Sequence, residues 1–293
     1  MLGRHGVHRY AKPTALEEAL TLLGQDDGWL LLAGGTDFYP AHGDRPVRGN
    51  VLDLNGLAEL RGIFETATHF VLGARTTWND IARHDLAPAF GALQAAAREV
   101  GSIQIQNRAT IAGNLCNASP AADGVPALLV LDAEVELRAL NSTRYLALSD
   151  FILGNRRTAL RAGEMVTAVR VPKHSVAGAS AFQKLGSRRY LVISIAMASA
   201  RLEVADGIVT QAAVAVGACS AVARRLHDLE AALYGLPVGP ALAEAVAEAA
   251  FDELAPIDDV RGSADYRRFA AREIVARAVL AAADAVNARA AAA

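Results

Sequence analysis

Cysteine is almost absent from this chain: only Cys116 and Cys219 occur among its 293 residues. A protein-bound iron–sulfur cluster needs four thiolate ligands, so two cysteines cannot hold one. The seven histidines are scattered, and no cysteine–histidine spacing typical of zinc sites is present. The sequence therefore predicts that this chain by itself ligates neither a metal ion nor a cluster.

Long apolar runs and excess charge are also absent. No hydrophobic run approaches the roughly 20 residues that a membrane-spanning helix requires. The segment from Met1 to Tyr10 lacks the apolar core of a signal peptide. The formal net charge is −2 at pH 7, which leaves no positive surplus to attract nucleic acid or an anionic membrane. We therefore expect a folded cytoplasmic protein that binds neither.

Small residues are concentrated in one nearly uncharged stretch, 108–132. Gly113, Ala118 and Ser119 keep side-chain bulk away from the backbone there, and Asn114 supplies a short polar group. A loop of this composition lets a ligand approach the main chain and can present backbone N–H groups to phosphate oxygens. The alternative is an ordinary tight turn that leads into the apolar residues that follow.

Paired glycines occur in a second stretch, directly after the short apolar run 29–33. The run predicts a buried strand, and Gly34-Gly35-Thr36-Asp37 follows it. A strand that ends in glycines and a hydroxyl is a common way to bring backbone donors to a pyrophosphate. Taken alone, the pair is equally consistent with a strand-ending turn.

Together, Ala33-Gly34-Gly35-Thr36-Asp37 and Thr110-Ile111-Ala112-Gly113-Asn114 resemble the paired flavin-binding signatures of the FAD subunits of molybdenum hydroxylases. This family includes bacterial xanthine dehydrogenase, carbon monoxide dehydrogenase and hydroxybenzoyl-CoA reductase. The resemblance extends from Tyr10 to about Ala283. The chain departs from the commonest family pattern at Ala112, where a second glycine often stands; alanine is small, so we expect the position to tolerate it.

The resemblance implies an α+β fold with a two-lobed, PCMH-type (vanillyl-alcohol-oxidase-like) FAD-binding unit and a small C-terminal α+β domain of antiparallel sheet and helices. The expected boundaries are 1–56 and 57–174 for the two lobes and 175–293 for the C-terminal domain. The residue pattern itself predicts a hairpin turn at Asp206-Gly207. It predicts a turn and a helix within 10–23, and further helices over 76–83, 88–100, 241–253 and 264–287. It predicts strands over 29–33, 51–54, 63–65, 70–73, 134–140, 165–171, 182–185, 193–204 and 209–217.

The resemblance also implies which residues contact FAD. Lys184 matches a lysine that approaches the flavin and offsets negative charge there; without the resemblance it would be taken for a solvated lysine at a strand end. Asp123 matches a family FAD contact, and Val100 and Val166 match apolar contacts. The complete set of expected cofactor-binding residues is Leu31, Leu32, Ala33, Gly34, Gly35, Thr36, Asp37, Phe38, Val100, Thr110, Ile111, Ala112, Gly113, Asn114, Asp123, Val166 and Lys184.

In the family this subunit transfers electrons and has no catalytic residues of its own for the organic substrate. Electrons reach its FAD from 2Fe–2S clusters in a small subunit, after substrate oxidation at molybdopterin in a large subunit, and leave to NAD, oxygen or another acceptor. The expected assembly is a dimer of heterotrimers. Two alternatives stay open: a self-sufficient flavin oxidase or reductase of the same fold, and a non-catalytic α/β protein whose glycine stretches are only turns.

Overall fold

A three-stranded parallel sheet organises the N-terminal lobe of the protein, whose structure is a computed structural model that describes residues 9–26 and 28–290. The prediction for Met1 to Tyr10 therefore falls almost entirely outside the described residues. Leucines spaced along one face of the first helix pack against Trp29 and Leu52. The lobe comprises β1 (Tyr10–Ala11), α1 (Leu16–Gln25), β2 (Trp29–Leu32), α2 (Phe38–His42) and β3 (Asn50–Asp53), with strand order β1-β3-β2.

The second lobe is built on a five-stranded antiparallel sheet, one face of which is covered by helices. Trp78 and Phe90 are fully buried in the core between the sheet and these helices. The strand order is β4-β5-β10-β6-β7. The elements are β4 (Ile63–Glu65), β5 (His69–Gly73), α3 (Trp78–Arg83), α4 (Gly91–Glu99), α5 (Ile103–Gln106), α6 (Ile111–Asn117), α7 (Gly124–Leu129), β6 (Glu134–Ala139), β7 (Ser142–Ala147), α8 (Leu148–Phe151), β8 (Ile152–Gly154), β9 (Arg157–Thr158) and β10 (Met165–Pro172).

The third lobe carries an antiparallel sheet that is buried on both faces. Phe182 and Met197 belong to the core of the second lobe. Ala196 and Ala198, one residue to either side of Met197, lie in the core beneath the C-terminal helices. Because neighbouring strand residues point to opposite faces, one sheet closes both cores. Its elements are β11 (Ala179–Leu185), β12 (Ala196–Ala205), β13 (Ile208–Gly217), β14 (Arg224–Arg225), α9 (His227–Leu233), α10 (Pro240–Glu248) and α11 (Ala264–Ala290).

The predicted α+β class is confirmed, and most of the predicted helices and strands are present within a few residues of their expected bounds. The boundaries 56/57 and 174/175 stay predictions. The expectation that the stretch 108–132 is a loop was wrong, because α6 and α7 occupy much of it. The hydroxyl of Thr110 caps α6 by accepting a hydrogen bond from the Gly113 N–H at 3.1 Å, which favours helix where composition had suggested a turn.

The described residues contain neither a membrane-spanning helix nor a metal-binding cluster. No helix in the part of the chain that the structure describes is long and apolar enough to cross a membrane. In the same residues, no group of three or more histidine, cysteine, aspartate or glutamate side chains is arranged to hold a metal ion.

The hairpin turn between β12 and β13 agrees with the prediction. Asp206 and Gly207 have φ angles of 52° and 77°, and residues on either side pair in antiparallel register. Positive φ at both positions matches the twist of the flanking strands, and glycine adopts it at little steric cost.

We predict that Gly207→Ala lowers the free energy of unfolding by about 1 kcal/mol, because alanine resists a left-handed φ. Gly24→Ala is the matched control. A β-carbon meets nothing within 4 Å at either glycine, but Gly24 lies in α1 without a left-handed φ. Alanine should therefore be neutral or stabilising there. Urea titrations of both variants test this, and equal effects would contradict it.

Candidate functional site

The first glycine stretch forms a tight connection between β2 and α2. A β-carbon at Gly34 would overlap the backbone carbonyl of Arg108. Gly35 has a φ of +80°, and a β-carbon there would lie 2.7 Å from Cε2 of Tyr39. Both positions therefore require glycine for reasons of backbone geometry and close approach. The contact at Gly34 also brings the two predicted signatures together, although they are far apart in sequence.

The same connection presents unpaired backbone donors. Among the described residues, none accepts a hydrogen bond from the N–H groups of Gly34, Gly35, Thr36 or Asp37. Gly34, Gly35 and Thr36 are half-buried and Asp37 is exposed, so a ligand can reach this segment. A segment with this property suits an anionic ligand such as a phosphate.

The second stretch differs from the expectation that its backbone N–H groups are free. Ile111 and Ala112 donate to the carbonyls of Thr76 and Ala74 at 2.9 and 3.2 Å, and the Gly113 N–H donates to the Thr110 hydroxyl. The first turn of α6 is therefore already paired within the protein. Its contribution to a ligand site is the bare, exposed surface at Gly113.

Asn114 adds a polar group to this surface. Its side-chain oxygen Oδ1 is buried and accepts no hydrogen bond in the part of the chain that the structure describes. A buried acceptor without a donor costs free energy, so this atom suits a ligand hydroxyl or amide. On the same helix, Asn117 donates to the Asp37 carboxylate at 3.3 Å, which ties α6 to the first glycine connection.

A buried ion pair joins two further predicted residues. The Lys184 Nζ lies 2.6 Å from Asp123 Oδ2, and the two side chains are 7% and 8% exposed. Ser194 donates to the other carboxylate oxygen at 2.6 Å, and Lys184 also donates to the Glu99 carbonyl at 3.3 Å. Burial raises the pKa of the Asp123 carboxyl group above its usual value, while the Lys184 charge and the hydrogen bonds from Lys184 and Ser194 oppose the rise. This burial excludes the alternative that Lys184 is a solvated residue at a strand end, and its contact with the flavin stays a prediction.

The remaining predicted residues differ in how far they are buried and in what they contact. Leu31 is partly exposed on β2, whereas Leu32 is buried. Phe38 makes an edge-to-face contact with Tyr39 at the start of α2, with ring centroids 5.4 Å apart. Val100 follows α4 directly and is half-buried. Val166 is buried in the core of the second lobe, so packing accounts for it, and its contact with FAD stays a prediction.

Sequence patterns did not single out two residues that complete these groups. Ser194 donates to Asp123, and Asn55 donates to the carbonyl of Ala33 at 2.8 Å. Asn55 could have been noticed in the sequence, because a polar residue that directly follows the predicted strand 51–54 lies at the end of that strand. Nothing in the sequence marks Ser194, because its partner is 71 residues away.

The predicted cofactor residues fit a dinucleotide better than a cavity in the third lobe does. That cavity, of about 430 Å³, lies between α9 and α10, and none of the predicted cofactor residues lines it. Its lining includes five carboxylates, namely those of Asp228, Glu244, Glu248, Asp252 and Glu253. Like charges would repel the phosphates of FAD there, whereas the free N–H groups at 34–37 and the unpaired Asn114 oxygen match a pyrophosphate and a polyhydroxyl chain.

We predict that Lys184→Met destabilises the protein by roughly 3 kcal/mol, because it leaves the buried Asp123 carboxylate without its counter-charge. In that variant burial should keep the pKa of Asp123 above its unfolded-state value, so ionisation at higher pH favours the unfolded chain. The loss of stability should therefore be larger at pH 8 than at pH 5. Urea titrations at both pH values measure it.

The double variant Lys184→Met with Asp123→Asn is the control for this experiment. Asparagine removes the charge but keeps an oxygen for Ser194, so most of the lost stability and all of its pH dependence should be recovered. Equal losses in the single and double variants would show that the unpaired Asp123 carboxylate is not what destabilises Lys184→Met.

Comparison with known proteins gives the family. A model of the FAD binding domain in molybdopterin dehydrogenase matches residues 6–174, and a model of the CO dehydrogenase flavoprotein C-terminal domain matches residues 180–282. The nicotinate dehydrogenase FAD-subunit of Eubacterium barkeri is 35% identical over 264 residues, which cover 87% of this chain and 89% of the relative.

Two further relatives agree with this assignment. The nicotine 6-hydroxylase medium subunit of Paenarthrobacter nicotinovorans is 30% identical over 275 residues, covering 93% of this chain and 96% of that one. A chain of reconstituted CO dehydrogenase from Oligotropha carboxidovorans superposes with a TM-score of 0.86 and 30% identity, over 96% of this chain and 99% of that chain. The predicted two-part fold and the FAD cofactor are confirmed by these matches. The chain therefore belongs to the family of FAD-binding flavoprotein subunits of the molybdopterin dehydrogenases, the molybdenum hydroxylases.

Proposed function

We propose that this chain is the electron-exit subunit of a molybdenum hydroxylase, and that its FAD receives electrons from 2Fe–2S clusters of a small partner subunit and passes them to NAD or oxygen. The observation that carries the proposal is the row of free N–H groups at 34–37, held against the segment before α6. When bound, FAD supplies the exchange of electrons both singly and in pairs, which suits it to link a cluster with a hydride acceptor.

The roles of the residues follow from their surroundings. The N–H groups of Gly34 to Asp37 would bind the pyrophosphate, and Gly113 would let it approach α6. Asn114 Oδ1 would accept a hydrogen bond from the cofactor, which satisfies its buried lone pairs. Lys184, held by Asp123, would place a fixed positive charge near the flavin. Leu31 and Val100, which are accessible at the surface, would line the ring system.

The proposed complex contains a molybdopterin-binding large subunit and a 2Fe–2S small subunit, arranged as a dimer of heterotrimers in the cytoplasm. Relatives named medium chain or medium subunit support the idea of larger and smaller partners. The sequence of this chain has two cysteines, too few to ligate a cluster, so the redox centres that feed its FAD must come from elsewhere. The organic substrate would be selected in the large subunit.

We predict that Gly113→Val lowers the affinity for FAD at least tenfold while the chain stays folded. A β-carbon at Gly113 would meet only the Thr110 hydroxyl, at 2.9 Å, and the residue is exposed. The added methyl groups would therefore occupy ligand space rather than the core. Fluorescence titration of the apoprotein with FAD measures the affinity, and circular dichroism monitors folding.

Gly24→Val is the control, because this glycine also lies in a helix with nothing within 4 Å of its β-carbon position. It should bind FAD normally. If Gly113→Val kept full flavin occupancy, the start of α6 would not be part of the cofactor site. Substitution of Gly34 is a poorer test, since a side chain there would overlap the Arg108 backbone and disturb the fold itself.

A second prediction distinguishes this function from a self-sufficient oxidase of the same fold. The isolated subunit with FAD should not be bleached by a heterocycle, an aldehyde or carbon monoxide under anaerobic conditions. The complex with the molybdenum and iron–sulfur subunits should be bleached rapidly by its substrate. Stopped-flow absorbance of the flavin measures both. Rapid bleaching of the lone subunit by an organic substrate would favour the self-sufficient oxidase.

A further inference from the structure

The carbonyl of Ala33 is held in one direction by a side chain from the 3-10 turn that follows β3. Asn55 Nδ2 donates to this oxygen at 2.8 Å. In a planar trans peptide the carbonyl and the N–H point to opposite sides. Fixing the Ala33 carbonyl therefore also directs the Gly34 N–H, the first of the four free donors, away from Asn55.

Asn55 is itself fixed by a network that spans three elements. Asp53 Oδ1 accepts from the backbone N–H and from Nδ2 of Asn55, at 2.9 and 2.7 Å. Asp53 Oδ2 accepts from the Tyr10 hydroxyl at 2.7 Å. Arg75 Nη2 donates to Asn55 Oδ1 at 3.3 Å and Nη1 to the Leu57 carbonyl at 2.6 Å. The amide of Asn55 thus has partners for both its oxygen and its nitrogen, and it has one preferred orientation.

The carboxylate at the centre of this network is kept in its charged form. Asp53 is only 6% exposed. Burial raises the pKa of this carboxyl group, but hydrogen bonds from Tyr10 and Asn55 outweigh that effect and keep the pKa below its usual value. A charged acceptor makes stronger hydrogen bonds than a neutral one, so Asp53 restrains the Asn55 side chain that reaches the Ala33 carbonyl.

We propose that Asn55 is a positioning residue for the cofactor: it orients the Ala33–Gly34 peptide so that the Gly34 N–H faces the FAD pyrophosphate. The inference rests on the proposed role of residues 34–37. Close contact of Gly34 with the Arg108 backbone holds the connection from one side, and Asn55 holds it from another. Without Asn55 the peptide is free to rotate, and ordering it again on binding costs affinity.

The experiment compares Asn55→Ala and Asn55→Asp with Asn50→Ala in the full chain. Asn50 lies at the opposite end of β3 and makes comparable contacts, donating to Asp26 at 2.8 Å and accepting from the Arg9 N–H at 3.1 Å. Asn55→Asp keeps the shape and an acceptor for Arg75 but removes the donor to Ala33 and places a second carboxylate against Asp53. Asn55→Leu, which has a similar volume but neither a donor nor a charge, is therefore measured beside it. Apoprotein is titrated with FAD at a temperature where all variants are folded, and ³¹P NMR records the two pyrophosphate signals of bound FAD.

We expect the Asn55 variants to raise the FAD dissociation constant about tenfold. This change corresponds to the loss of one well-placed hydrogen bond and of the order that it imposes on the Ala33–Gly34 peptide. The ³¹P signals of the Asn55 variants should shift, whereas Asn50→Ala should stay within twofold of wild type with unchanged signals. If Asn55→Ala is unstable, Asn55→Leu decides in its place. Wild-type affinity in Asn55→Leu or in Asn55→Asp, or equal losses in the Asn55 and Asn50 variants, would overturn the inference.

Failure of the proposed function gives a different result. In that case the wild-type chain itself would not bind FAD in the titration. Normal wild-type binding combined with normal binding by the Asn55 variants would leave the FAD site intact and remove only the role of Asn55.

Discussion

The close approach of Gly34 to the Arg108 carbonyl is the contact on which the candidate site depends. At this contact the chain that follows β2 packs directly against the backbone of the second lobe, which is possible because Gly34 has no side chain. The segment after Arg108 is fixed in turn, because the Ala109 carbonyl accepts from the Trp78 N–H at 3.2 Å. Any side chain at Gly34 would separate the lobes, so this glycine determines the distance between the two signatures as well as the local turn.

A second constraint is the sheet of the third lobe, which serves two cores at once. Phe182 and Met197 pack into the second lobe, and the opposite face packs beneath α11. Lys184 lies on the same sheet, and this arrangement carries it to Asp123 at the start of α7. The third lobe therefore contributes directly to the candidate site, because the buried ion pair forms only when the sheet of this lobe packs against the second lobe.

The polar groups of the site are divided unequally between the two signatures. The connection between β2 and α2 has backbone N–H groups at Gly34 to Asp37 that donate to no described residue. In the first turn of α6, by contrast, the N–H groups already donate to Thr76, Ala74 and Thr110. Two similar-looking sequence stretches thus contribute different things. One supplies hydrogen-bond donors for an anion, and the other supplies space at Gly113 and a lone acceptor at Asn114.

Local residue patterns by themselves determined much of the fold. The spacing of Leu16, Leu20 and Leu23 specifies an amphipathic helix, and Asp206-Gly207 specifies a hairpin, because each depends on neighbours a few residues away. The paired signatures also identified the family. The helices α6 and α7 were missed because the small-residue composition suggested a turn, although the Thr110 cap of α6 is itself a local signal.

The partners of the polar side chains were likewise beyond the sequence. Asn55 and Ser194 act on Ala33 and Asp123, which are 22 and 71 residues away. The type of each residue determines whether its side chain can donate or accept a hydrogen bond. Which groups meet is decided by how the sheets pack, and no local pattern encodes a contact between positions so far apart in the chain.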